Sequence, residues 1–542
     1  MSIRRSAIVF AAVLLVAAAC APAASPGGGT AAPSTSPSPS AGGAASTLVW
    51  YADTSDLISL DPAVAYEFTG VLLAHNAYET LVKFEGADLS TIKPALAQSW
   101  DIKDSGSQWD ITFKLRSSAK FASGNAITAD DVVYSFQRVL KLNKSPAFLF
   151  TDIAQLKDTS IKASDPSTVV ISLPKTASPQ GFLAVLTFTI GSVVDSKDVK
   201  AKESSGDSGS GYLLDHSSGS GAFIIDHWTK NSEVQLKANP NYSGSPKAAL
   251  GGVLVKHVPE STNQQFALEK GDADIARNLG AQQIAALQGK PGVVTTTGNS
   301  LQLVYVGMNV TVKPLDNVNV REALRTAIDY DGIVKDLFKG GAKKVQDIIP
   351  AGLAGYNEST PFQADVSKAK ALLQQAGQTA VTLELLVPTG PAPGGVAWAD
   401  LAAKLQSDWK SIGVTVNIKQ TTQADLLGTY RAQKGQLVMI LWGPDFPDPD
   451  ANVGPFTDYA AKSISFRNGW DDKTIAAKGR DAALITDTTK RAAAYKEITD
   501  YVLHNGPYVV LYQPTEPFGL RSNVKGFVWS PMDWTDFAAI SK

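Results

Sequence analysis

Apolar positions alternate with polar ones along some stretches of this chain and recur every three or four residues along others, so strands and helices are interleaved. Trp109, Ile111, Phe113 and Leu115 occupy every second position, the period of a strand with one buried face. Just beyond it, Thr128 stands where a helix N-cap belongs, with Asp131 three residues on, and Val132, Val133, Phe136, Val139 and Leu140 follow at helical spacing. Asp365 similarly precedes a helix carrying Ala369, Leu372, Leu373 and Ala376, which Gly377 closes. Leu401, Leu405, Trp409 and Ile412 form another helical stripe ended by Gly413, after which Val414, Val416 and Ile418 alternate as a strand. Leu437 to Trp442 is a near-continuous apolar run, as a strand covered on both faces requires. The folded body opens near Thr47 with the strand-like run Leu48 to Tyr51. This alternation predicts an α/β fold rather than a bundle or a sandwich.

The first 46 residues break the pattern. Arg4 and Arg5, the apolar run Ile8 to Val16 and Ala17-Ala18-Ala19 read as a secretory address over residues 1–20, with an apolar run too short to span a bilayer. Cys20 follows directly and resembles the lipid-acceptor cysteine of a bacterial lipobox, although Ala17 stands where leucine is usual. The expectation is a lipid anchor at Cys20; the alternative is a soluble secreted protein cut by the ordinary signal peptidase. Residues 21–46, almost wholly Ala, Pro, Gly, Ser and Thr, predict a tether. Cys20 is the only cysteine, so the body has neither a disulfide framework nor a thiolate metal cluster nor a catalytic thiol. Charge is balanced at 49 basic against 51 acidic side chains without a long basic block, which argues against nucleic acid as a partner.

Several separated segments, in order, resemble the family 5 extracellular solute-binding proteins, which include oligopeptide, dipeptide and nickel receptors of ABC importers. They are Ser59-Leu60-Asp61-Pro62 with Asn76 to Val82, Pro94 to Trp100, Phe113 to Arg116 and Thr128 to Phe136, then Gly219 to Phe223 with Asn239 to Tyr242 and Gly271 to Ile275. Val320 to Leu324 with Ala327 to Asp329, Trp442 to Pro449, Pro507-Tyr508 and Asn523 to Phe527 complete the set. The resemblance implies a two-lobed periplasmic-binding-protein-like fold of the class II type, with an extra subdomain in the first lobe. Lobe I would comprise residues 47–300 plus 515–542, with the subdomain roughly at 88–200, and lobe II residues 301–514. The chain would cross between lobes near Ser300 to Val310 and Tyr508 to Pro517, and closure about these strands would enclose the ligand. Also implied are a monomer without cofactor or enzymatic activity, held outside the cytoplasm in the periplasm or at the cell surface, and a partnership with ABC permease subunits whose ATPases lie elsewhere.

On the same resemblance, Asp445 takes the position that pairs with a peptide's α-ammonium group, a role that suits a buried carboxylate; from composition alone it reads as a turn aspartate in the proline-rich run Gly443 to Asp450. Trp442 is either a stacking surface for the ligand or a core ring ending a buried strand. Tyr66 and Glu67 are either pocket residues or caps of the following helix. Asp448 and Asp450 read as turn residues. Dipeptide binders of the family hold the ligand carboxylate with an arginine in the segment matching residues 387–398, which here carries no positive charge. Longer peptides fit this departure, as do oligosaccharides or metal chelates, the alternative ligand classes.

Two rival chemistries are set aside. Gly206-Asp207-Ser208-Gly209 with His75 upstream resembles a serine-hydrolase pair, but His75 falls in a helical segment and Ser208 in a Ser/Gly-rich stretch that reads as a mobile loop. The five histidines, His75, His216, His227, His257 and His504, lack close ligand spacing, so no metal site is expected. The glycines of 206–211 lack the lysine and the strand-to-helix context of a phosphate loop.

Overall fold

The computed structural model describes residues 46–542; the secretory address, Cys20 and the tether up to residue 45 lie outside the described residues. The chain first forms β1 (Thr47–Ala52), α1 (Phe68–Ala77), the hairpin β2 (Val82–Glu85) and β3 (Asp88–Pro94), β4 (Ala97–Asp104), β5 (Gln108–Leu115), α2 (Ala129–Leu142), β6 (Ile161–Asp165), β7 (Thr168–Pro174) and α3 (Pro179–Val185). Next come β8 (Phe223–Thr229), β9 (Glu233–Ala238), β10 (Gly252–His257), β11 (Ile275–Ala276) and β12 (Val293–Asn299). The remainder supplies β13 (Leu303–Met308), β14 (Ala342–Lys343), β15 (Val381–Pro388), β16 (Val414–Thr421), β17 (Leu437–Trp442) and the long β18 (Tyr508–Arg521), with helices between.

Local expectations and structure agree for physical reasons that can be named. In β5, Ile111, Phe113 and Leu115 are buried, while Trp109 is half-buried under the Lys175 ammonium, 3.4 Å from its ring centroid. Thr128 and Asp131 form the capping box of α2, the Asp131 carboxylate accepting the Thr128 N–H at 2.9 Å. Asp365 accepts the Lys368 N–H at 2.8 Å and caps the helix Val366–Gln375. The stripe Leu401, Leu405 and Trp409 is the buried face of the helix Trp398–Lys410.

One sheet runs β16-β15-β17-β13-β18-β11-β1-β10-β9-β8, with β12 and β14 also paired to β18; β4-β5-β7-β6 form a separate antiparallel sheet. Within the large sheet β1 is parallel to β10 and β11, and β15 to β16 and β17. The architecture is the expected two-lobed α/β fold. In one core, which draws on both ends of the described residues, Trp50 of β1 packs against Phe518, Trp529 and Phe537. Along β13 and β17, the period of two sends Val304, Val306, Leu437 and Met439 into a second core and Leu303, Tyr305, Val438 and Ile440 into a third on the opposite face. The apolar run 437–442 is thus covered on both faces, as its composition requires.

The large sheet also contributes strands to each of these cores. Tyr508 to Tyr512 of β18 pair with β13, whereas Thr515 to Arg521 pair with β12. Between the halves, the buried Gln513 side chain donates to the carbonyls of Ser300 and Ala351 and accepts the Ala351 N–H at 2.9 Å. A single amide of β18 therefore ties Ser300 and Ala351 to one point.

Candidate functional site

Each lobe presents one loop, and each loop is fixed by a buried arginine–aspartate pair. In the first lobe Asp61, fully buried, accepts two bonds from Arg138 of α2 at 2.8 and 2.5 Å and the Ala63 N–H at 3.0 Å. This holds the turn that leads into Tyr66 and Glu67. Glu67 is the N-cap residue of α1, yet its carboxylate makes no cap bond and accepts the Tyr66 N–H at 3.2 Å. The Tyr66 ring is held edge-on by Phe148 and Phe188, at centroid distances of 6.2 and 5.9 Å.

In the second lobe the loop after β17 is fixed by Asp448, buried and bonded through both oxygens to Arg491 at 2.7 Å. Asp448 and Asp450 therefore have structural surroundings: the Asp450 carboxyl is pushed up to about 7 by burial and by the charge of Asp448. Phe446, from the same loop, is buried among first-lobe residues, with its ring beside Gly181 of α3. Two further bonds cross between the lobes, from the Ser178 hydroxyl to the Ala483 carbonyl at 2.5 Å and from the Gln180 amide to the Thr486 carbonyl at 2.8 Å.

Where the loops meet, the Tyr66 hydroxyl donates to Asp445 Oδ1. That is the one hydrogen bond of the Asp445 side chain among the described residues, and no cation lies within ion-pair distance of it there. Burial raises the Asp445 carboxyl above the usual carboxylate range, with the phenol as a partial counterweight. The Tyr66 phenol is raised as well, first by burial and then by Asp445, so it remains a donor at every physiological pH. A half-desolvated carboxylate with a neutral partner is short of positive charge. Trp442 joins this pair less closely. Its Nε1 donates to the Ala451 carbonyl at 3.2 Å and its ring meets Phe456 edge-on, which makes it a half-buried wall of the second lobe.

The structure thus brings Tyr66 and Asp445 into contact with Glu67 adjacent, and leaves Trp442 against its own core. Residue patterns gave no sign of Arg138, Arg491, Phe188 or Phe446, because each meets its partner far along the chain.

The profile of the bacterial extracellular solute-binding proteins, family 5, middle region, matches residues 91–463. The chain belongs to that family. Among its family 5 relatives, the "Probable D,D-dipeptide-binding periplasmic protein DdpA" of Escherichia coli strain K12 is 30% identical over 485 residues, covering 88% of this chain and 90% of that protein. Heme-binding protein A of Haemophilus influenzae is 27% identical over 516 residues, 91% of each chain. The structure of HbpA2 from Haemophilus parasuis superposes with a TM-score of 0.82 at 26% identity, covering 91% of this chain and 99% of that one. That of the ABC transporter-associated DppA from Helicobacter pylori, in complex with the peptide STSA, superposes with a TM-score of 0.69 at 26% identity, covering 91% and 97%.

As a family 5 protein, the chain is an extracytoplasmic solute-binding protein and not an enzyme. One expectation needs correction: Ser208 is not on a loose loop. It is buried, its carbonyl accepts from Arg138 at 2.6 Å, and the Asp207 carboxylate gathers the N–H groups of Ser204, Gly209 and Gly211. His75 lies on α1 and stacks on Trp534 at 3.7 Å; burial lowers it to about 3, so it is neutral. Among the described residues no group of three or more His, Cys, Asp or Glu is placed to hold a metal, and no helix is long and apolar enough to cross a membrane.

Proposed function

We propose that this family 5 protein captures a peptide or peptide-like solute between its lobes and hands it to the transmembrane permease subunits of an ABC importer. The observation that carries this reading is Asp445, a desolvated carboxylate between the lobes whose only hydrogen-bond partner among the described residues is a phenol. A ligand ammonium group would supply the missing charge and turn a costly burial into a charge-assisted hydrogen bond. Tyr66 orients that carboxylate, Glu67 adds negative charge beside it, and Trp442 offers a ring edge to the bound chain. The peptide in the DppA complex and the dipeptide in the DdpA name support the ligand class.

In this reading lobe I comprises residues 47–300 and 515–542, with a subdomain near 88–200, and lobe II residues 301–514. Cys20 carries the lipid that holds a monomeric receptor at the membrane. The chain needs no cofactor, and the energy for transport comes from ATPases elsewhere.

A thermal-shift screen of the full chain against pooled peptides, oligosaccharides, haem and metal chelates tests it. A ligand that binds only the folded state stabilises it by about 2.7 kcal/mol at a hundredfold excess over its Kd. Peptides should raise the midpoint, and Asp445→Ala should abolish the rise. If sugars or chelates act and peptides do not, the receptor has another ligand and Asp445 is a loop residue.

A further inference from the structure

Phe446, the residue after Asp445, is buried in a core to which almost nothing near it in the chain belongs. The buried members of that core come from Leu48 to Ile275 and from Phe518 to Ile540, with two exceptions, Phe446 and Ala451. Phe446 is 3% exposed, so its ring is almost fully withdrawn from water.

The ring rests at the first turn of α3. Gly181 leaves room for it there: a Cβ would stand 3.8 Å from Phe446 Cε2 and 3.2 Å from the Ser178 side chain. The same turn makes two hydrogen bonds to residues 483–486. The Ser178 hydroxyl accepts the Gly181 N–H at 3.0 Å and donates to the Ala483 carbonyl at 2.5 Å, and the Gln180 amide donates to the Thr486 carbonyl at 2.8 Å. Those acceptors and Phe446 belong to one clamped unit. Asp448 donates its N–H to the Phe446 carbonyl at 2.8 Å and binds Arg491, which lies on the helix Thr488–Asn505 just past Thr486. One turn of α3 thus receives three contacts from a single block. They differ in weight: a hydrogen bond that water can replace shifts an equilibrium roughly 2- to 10-fold, whereas full burial of a phenylalanine ring shifts it roughly 10- to 100-fold.

Building on the two proposed lobes and on Asp445 as the holder of the ligand's ammonium group, we propose that Phe446 is a positioning residue for Asp445, its ring seated against Gly181 to hold the lobes together around the occupied site. The two side chains are neighbours on one backbone, so the carboxylate comes within reach of Tyr66 as the ring enters its seat and retreats as the ring leaves. The cost of unseating the ring is set by α3 and not by the ligand. It therefore slows the release of every ligand by the same factor.

Isothermal titration and stopped-flow fluorescence of the full chain with trialanine and trileucine test this, at a temperature where thermal midpoints show each variant folded. Phe446→Ala should weaken both peptides by the same factor, about tenfold or more, through faster release with the association rate unchanged. Phe446→Leu, which keeps an apolar group in the seat, should stay within threefold of the wild type. Gly181→Leu, which puts a side chain where the ring rests, should weaken binding as Phe446→Ala does, and the double variant should be no worse than either alone, since the seat can be lost only once. If Phe446→Ala does not fold, Gly181→Leu decides by the same criteria. Affinities within twofold of the wild type overturn the proposal and leave Asp445 as the amine holder. So do losses that differ more than threefold between the two peptides, which would make the ring a ligand contact, and losses that multiply in the double variant. A wild-type chain that binds neither peptide overturns both readings.

Discussion

Asp445 and Asp448 stand three residues apart in one proline-rich loop, and their surroundings differ in kind. Asp448 is enclosed with both oxygens on Arg491, so its charge is fully matched. Asp445 is also largely removed from water, but its partner is a neutral phenol from the other lobe. The first lobe repeats the arrangement, with Asp61 locked to Arg138 and Glu67, a few residues on, left without a cation among the described residues. In each loop one carboxylate is spent on holding the backbone still, and the next is held ready and unmatched. Residue type and neighbourhood in the sequence do not separate these roles; the presence or absence of a cation does.

Breaking the matched member of the pair should have the largest effect. Asp448→Ala leaves Arg491 buried and unpaired, which should cost about 3–5 kcal/mol and lower the thermal midpoint of the full chain by roughly 10 °C. A midpoint within 2 °C of the wild type would show that the loop does not depend on that pair. Asp445→Asn should do the reverse, lowering peptide affinity about 100-fold in calorimetric titration, or about 2.7 kcal/mol, while the midpoint of the free chain stays level or rises.

Acidity sharpens the same contrast. Because the Asp445 carboxyl is raised, it takes up its proton at a pH where an exposed aspartate is still charged. Peptide affinity should begin to fall on acidification above the ordinary aspartate value of about 4. The stability of the free chain should move the other way: the folded state binds this proton more readily than the unfolded one, so this group's contribution grows as pH falls through the raised value. Tyr66→Phe, which removes the bond favouring the charged form, should shift the midpoint of the affinity profile upward and cost three- to tenfold in affinity at neutral pH. The smallest effect belongs to Ser178→Ala. It removes one bond between the lobes and should weaken binding two- to fivefold through faster ligand release, with the association rate unchanged.

Much of the fold is legible in the sequence because its causes are local. The alternation in β5, the capping box at Thr128 and Asp131, and the two-sided burial of Leu437 to Ile440 each follow from residues within a few positions of one another. The site is legible only through the resemblance, since its contacts span 379 residues between Tyr66 and Asp445 and 43 between Asp448 and Arg491. No periodicity reports on such pairs. Composition also misread Ser208: small and polar neighbours suggested a free loop, but a buried arginine on α2 and a capping aspartate hold it in place. The same run of prolines and aspartates after β17 conceals one clamp and one unpaired acid, which chemistry alone can tell apart once both lobes are folded.

The nest around Trp50 has a consequence for how the molecule is made. Its neighbours Phe518, Trp529 and Phe537 come from the last twenty-five residues, while Trp50 comes from the first strand of the described chain. As the polypeptide emerges from a ribosome or a secretion channel, the lobe that begins first must wait with its hydrophobic centre unfilled until almost the whole chain has arrived. The core drawn from residues between Val304 and Tyr512 has all its parts earlier and can fold in the interval. Maturation is therefore built to finish at the C-terminus, so loss of a short tail there should strand the receptor in a form with one lobe assembled and its partner open to proteolysis.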